Sequence, residues 1–158
     1  MKIKHIWSVL CKESIINKDD NNISIHGVLE ELTVFLSPVK ETGKLPEKFS
    51  IPMNYEIVSM WQRNKEVGLA KAEIEYIFVD SENKELLKST QMIEIPKTSR
   101  RNRSRMKITG MPLSEAGDYM FQVKIKEEGV DTFNIVAELP LEVKINLQKP
   151  SFKPQVKN

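Results

Sequence analysis

Apolar and polar side chains alternate through "YMFQVKIKEEG": Tyr119, Phe121, Val123 and Ile125 fall on one face, Met120, Gln122, Lys124 and Lys126 on the other. That period of two matches the pleat of a half-buried strand, whose successive side chains point to opposite faces. The pattern returns in "LPLEVKI", where Leu139, Leu141, Val143 and Ile145 alternate with Glu142 and Lys144. It returns again in "AKAEIEYIFVD", with Ala72, Ile74, Tyr76 and Phe78 against Lys71, Glu73 and Glu75. Ile77 and Val79 sit on the second face of that last strand, which predicts a cover there too. No segment carries the periodicity of a long amphipathic helix. The chain reads as all-β.

Turn chemistry separates the runs. "NKDDNN" (17–22) divides a strand over roughly 3–16 from another over 23–29, and its Asn and Asp residues tolerate left-handed turns. "DSENKE" (80–85) precedes a strand through Met92 and Ile95 that Pro96 ends, and "KEEGVD" (126–131) turns at Gly129. "LSPVKETGKLPEK" (36–48) is a longer loop, and Pro52 in the strand that follows implies an edge position or a bulge. "MWQRNKEVG" (60–68) is open between a helical turn and a short loop. About seven to eight short strands separated by such turns predict an antiparallel sandwich or barrel. One domain spans 1–147, and 148–158, with two prolines and no acid, is expected to be a flexible tail.

Composition matters mainly for what it excludes. At 158 residues the chain is long enough to bury a core without metals or disulfides. Cys11 is the single cysteine, so no intrachain disulfide and no thiolate zinc cluster is expected, and a reduced, cytoplasmic setting fits best. The apolar run Ile6 to Cys11 is too short for a secretory signal, and Leu10 and Ser8 do not suit a lipoprotein signal. No stretch approaches the ~20 apolar residues needed to span a bilayer, so no membrane partner is expected. The net charge of +2 points to no particular partner.

One motif chooses among β folds. Glu115, Gly117 and Tyr119 stand at i, i+2 and i+4 just before an alternating strand. This resembles the corner of immunoglobulin-like sandwiches, where a tyrosine hydroxyl at the start of a late strand bonds back to the preceding turn. Phe121 stands where antibody domains carry a cysteine, which suits an intracellular domain. The chain as a whole also resembles a family of small uncharacterised bacterial β-sandwich proteins. The likeness lies in "ISIHGVLEEL" (23–32), "FVDSENKEL", the Gly117-to-Tyr119 strand and "ELPLEV" (138–143). It implies a single immunoglobulin-like β-sandwich over most of residues 3–147 and brings no catalytic or binding residues with it.

The residues with chemical potential form few constellations. His5 and His26 read as structural or surface side chains, and Ser8 is expected to face away from His5 along the first strand. Asp19, Asp20, Asp80 and Glu82 read as turn acids rather than calcium ligands. With no nucleophile-and-base pair and no phosphate-binding glycine pattern, an enzyme is not expected, nor any cofactor or metal. The sharpest local feature is "TSRRNRSRMK" (98–107), where Arg100, Arg101, Arg103, Arg105 and Lys107 follow Lys97 without an acid. Arginine pairs well with phosphate, so nucleic acid is one reading, and an extended segment would set Arg101, Arg103 and Arg105 on one side. No aromatic residue is interleaved for base stacking, so a solvated hairpin loop is preferred, with the arginines expendable for stability. The favoured function is a non-catalytic binding or accessory module for a protein partner or a second copy of itself. Nucleic-acid association through 97–107 is the alternative, and an enzyme of unrecognised type the third.

Overall fold

The computed structural model describes residues 1–37 and 47–148. The breakers Pro38, Gly43 and Pro46 of the long loop and nearly all of the expected tail lie outside the described residues. Nine strands run in chain order: β1 (Ile3–Ile16), β2 (Ile23–Val28), β3 (Glu31–Leu36), β4 (Phe49–Arg63), β5 (Ala70–Val79), β6 (Glu85–Ile95), β7 (Arg101–Leu113), β8 (Gly117–Glu127) and β9 (Asn134–Leu147). They form two curled sheets, one in the order β2-β1-β4-β7 and one in the order β3-β9-β8-β5-β6. No helix among the described residues is long and apolar enough to cross a membrane.

Three expectations about the strands need correction. The count is nine strands rather than seven or eight, because "ISIHGVLEEL" is broken in the middle. Gly27 takes φ +62°, the Leu29 amide donates to the Leu10 carbonyl, and the chain leaves the first sheet to start β3 in the second. Leu29 and Glu30 separate the two strands and carry the chain from one sheet into the other rather than into a hairpin. β3 therefore enters the second sheet parallel to β9, and the architecture is not purely antiparallel. Residues 60–63 continue β4, and the turn begins at Asn64, whose carbonyl accepts the Val67 amide. Pro52 lies at a register shift between Ile51 and Asn54, the bulge option for a residue without an N–H.

The alternation read from the sequence becomes the core between the sheets. Tyr119, Phe121, Val123, Leu141 and Val143 are all buried, at 2% exposure or less. Phe121 stacks on Phe78 at 4.2 Å between ring centroids and tilts against Tyr55 from the opposite sheet at 5.8 Å. Ile77 and Val79 are buried on the second face of β5, and Glu75 on that face pairs with Lys88 and Lys124. Before β8, the Tyr119 hydroxyl donates to the Glu115 carbonyl at 2.7 Å and accepts the amides of Glu115 and Ser114. Gly117, at φ +152°, supplies backbone that residues with a Cβ rarely adopt.

A polar seam crosses this core. Ser8, Ser59 and Ser104 are cross-strand neighbours on β1, β4 and β7. The Ser8 and Ser59 hydroxyls are 2.7 Å apart, while Trp61 Nε1 donates to Ser104 Oγ at 2.8 Å and Tyr76 of the other sheet reaches the same oxygen. His5 Nε2 lies 2.8 Å from Ser8 Oγ, against the expectation that the two would diverge. A register shift between His5 and Trp7 flips the alternation and turns Ser8 inward. Burial holds the imidazole pKa below its ordinary value, opposed by a backbone hydrogen bond at Trp7. Ser59 and Ser104 are themselves buried, so the row satisfies hydroxyls inside the core.

Candidate functional site

The basic run is not a loop. Only residues 97–100 form the turn, and Arg101 opens β7, the edge strand of the first sheet. Pairing with β4 sets its faces: Asn102, Ser104, Met106 and Ile108 lie beside Trp61, Ser59, Ile57 and Tyr55 and face the core. Arg101, Arg103, Arg105 and Lys107 therefore project outward in one stripe.

Two of these arginines are already occupied. β1 leaves β4 after Cys11 and continues to Ile16, so the end of the β1–β2 hairpin bends over the outward face of the sheet. Arg105 Nη1 donates to the Ser14 carbonyl at 3.3 Å, and Arg103 Nη2 donates to the carbonyl and side-chain oxygen of Asn21. Beneath this fold-over, Val58 and Cys11 are buried although their strands turn them away from the inter-sheet core. Burial, followed by the charge of Glu56, pushes the Cys11 thiol up to about 11, which favours the protonated thiol near neutral pH. The arginines fasten the hairpin, a role that the spacing in sequence does not reveal. Replacing Arg105 with alanine is expected to cost about 0.5–1.5 kcal/mol and to speed amide exchange across residues 12–25. Unchanged exchange in the hairpin would remove the fastening role.

Further cations gather at one end, where Lys2 Nζ also reaches the Glu128 carbonyl. Lys2, Lys4, Lys65 and Arg100 line a concavity of about 570 Å³ with buried Arg63, and Glu66 is the acid among its walls. Arg63 holds this end together: its guanidinium donates to the carbonyls of Lys97, Ser99, Asn64 and Val67. Of the sequence-singled residues, Arg100 reaches the concavity and Arg101 begins the neighbouring stripe, while Lys107 lies at the opposite end of it. Glu115 lies in the turn before β8, and Gly117 and Tyr119 open that strand, with the Tyr119 hydroxyl bonded back to Glu115. The cluster carried no local signal, because Lys2 and Lys4, Lys65 and Arg100 come from three separate places in the chain.

The outward face also holds an aromatic side chain missing from the basic run. Trp7 is the neighbour of Met60, and Met60 of Arg103, so a half-buried indole lies two strands from the arginine stripe. No protein-family model matches the chain, and no curated protein sequence matches it.

Proposed function

We propose that this protein is a non-catalytic binding module whose cationic end docks an acidic protein segment. The supporting observation is the concavity at the end of β1 and β4, where Lys2, Lys4, Lys65 and Arg100 converge in a chain whose net charge is only +2. Such a local excess attracts and orients an acidic partner, and rim charges of this kind govern association rate and salt dependence. No aromatic ring among the described residues lines the concavity, which favours acidic side chains over stacked bases as the occupant. The Tyr119 hydroxyl bonds and the two-sheet core support an immunoglobulin-like sandwich and kinship with the small bacterial β-sandwich proteins. The single, buried cysteine supports a cytoplasmic setting.

A second reading rests on Trp7. Its place on the same face as the arginine stripe offers one base-stacking surface beside phosphate-binding groups. A labelled polyglutamate peptide and a labelled single-stranded oligonucleotide, each titrated at low and physiological salt, separate the readings. The expected result is peptide binding that the triple reversal Lys4→Glu, Lys65→Glu, Arg100→Glu weakens roughly tenfold or more, a loss of about 1.4 kcal/mol. Peptide binding indifferent to the reversal, or none, would overturn the proposal. Preferential oligonucleotide binding lost in Trp7→Ala would establish the second reading in its place.

A further inference from the structure

Two buried polar side-chain atoms on the outward face of the first sheet have no hydrogen-bond partner among the described residues: Glu56 Oε2 and Ser14 Oγ. Both residues are more than nine-tenths buried, and both line one cleft of about 600 Å³ between the β1–β2 hairpin and the strands β4 and β7. Glu56 is the cross-strand neighbour of Cys11 on one side and Lys107 on the other, and no ion pair reaches its carboxylate among the described residues. A buried carboxylate oxygen without a donor is costly to maintain, and native structures rarely keep one without a use. The cleft has the volume of a small-molecule site.

The chemistry of its walls limits the occupant. Glu56 and Ser14 call for a ligand that donates hydrogen bonds, and the carboxylate favours a positively charged donor. Exposed Glu13 is an acid on the rim of the same cleft, and exposed Lys12 and Lys107 outnumber it there. They match a second, negative group on the same molecule. Thr109 donates to Asn54 Oδ1 at 2.9 Å, which leaves the Asn54 amide nitrogen to donate toward that group. We propose that the cleft binds a small zwitterion of the amino-acid class, its ammonium on Glu56 and Ser14 and its carboxylate on Lys107 and Lys12. Both atoms are closed to solvent, so a ligand reaches them only with a movement of the cleft walls. This site is separate from the cationic concavity and does not depend on its role.

The test titrates the full chain with the twenty common amino acids singly, followed by calorimetry and by backbone amide shifts. Ethylamine, acetate and N,N,N-trimethylglycine serve as matched probes, the last keeping both charges but no N–H donor. At least one amino acid is expected to bind with a dissociation constant below about 1 mM, with shifts centred on residues 12–14, 54–56 and 107–109. The matched probes should bind about tenfold more weakly or worse. Glu56→Gln should abolish the binding while raising the denaturation midpoint, since it removes an unpaired buried charge. Lys107→Met, at an exposed position, should weaken binding without disturbing the fold. Failure of every amino acid to bind would overturn the proposal. So would binding retained in both variants, or binding of ethylamine equal to that of the best amino acid.

Discussion

Truncation of Phe121 to alanine is expected to lower the unfolding free energy by about 3–5 kcal/mol, the usual cost of deleting a buried aromatic ring. The side chain is fully buried, lies 4.2 Å from Phe78 within its own sheet and meets Tyr55 from the other sheet. Its loss removes apolar burial, leaves a cavity and breaks an aromatic contact that joins the two layers. Neither neighbour can collapse easily into the gap, because both rings have further fixed partners: Phe78 stacks on Tyr119, and the Tyr55 hydroxyl bonds to the Gly110 carbonyl. Phe121→Leu should cost less, since it refills part of the volume. Urea denaturation with an unchanged slope measures the effect. A loss under about 1 kcal/mol would mean that this ring does not join the layers.

Arg63→Met is expected to cost about 2–4 kcal/mol, an unusual penalty for an arginine at the end of a strand. The side chain is buried and makes no ion pair among the described residues; instead it serves four backbone carbonyls. Two belong to the turn after β4, at Asn64 and Val67, and two to the turn before β7, at Lys97 and Ser99. Methionine refills the stem but leaves these acceptors to water or to nothing, and bonds from a charged donor are worth about 1.5–3 kcal/mol each before relaxation. The sum is smaller than four such terms because both turns reach the surface and can be rehydrated. Arg63→Lys should recover only part of the loss: a single ammonium has three donors and cannot span four acceptors across a planar fork. Amide exchange in residues 97–100 should accelerate in both variants. A stability equal to wild type for the lysine variant would show that charge alone, rather than the fork, holds the two turns.

Both effects illuminate what was legible beforehand. The inward residues of β8, β9 and β5 were readable because a strand exposes alternate side chains to alternate faces, and Tyr119, Phe121, Leu141 and Val143 keep that period without interruption. Where the period breaks, sequence reading failed. The shift between His5 and Trp7 turned Ser8 inward, and the break at Leu29 and Glu30 created β3 and its parallel pairing with β9. Bulges and sheet crossings depend on partners far along the chain, so neighbouring residues carry little trace of them.

The same distinction governs the sites. The arginines of 100–105 were conspicuous because they are contiguous, yet Arg103 and Arg105 hold the Asn21 and Ser14 backbone. Glu56, by contrast, is one of 22 acidic residues and had no local mark. Its significance comes from burial beside Ser14, 42 positions away by residue number, without a hydrogen-bond partner for Oε2. The sequence by itself determined the strand content, most of the turn positions and the inward face of each regular strand, because those follow from side-chain period and backbone preference. Only the tertiary structure decided the sheet order, the fold-over of the β1–β2 hairpin and the convergence of Lys2, Lys4, Lys65 and Arg100. Those depend on which distant segments meet, and long-range packing and hydrogen bonding settle that.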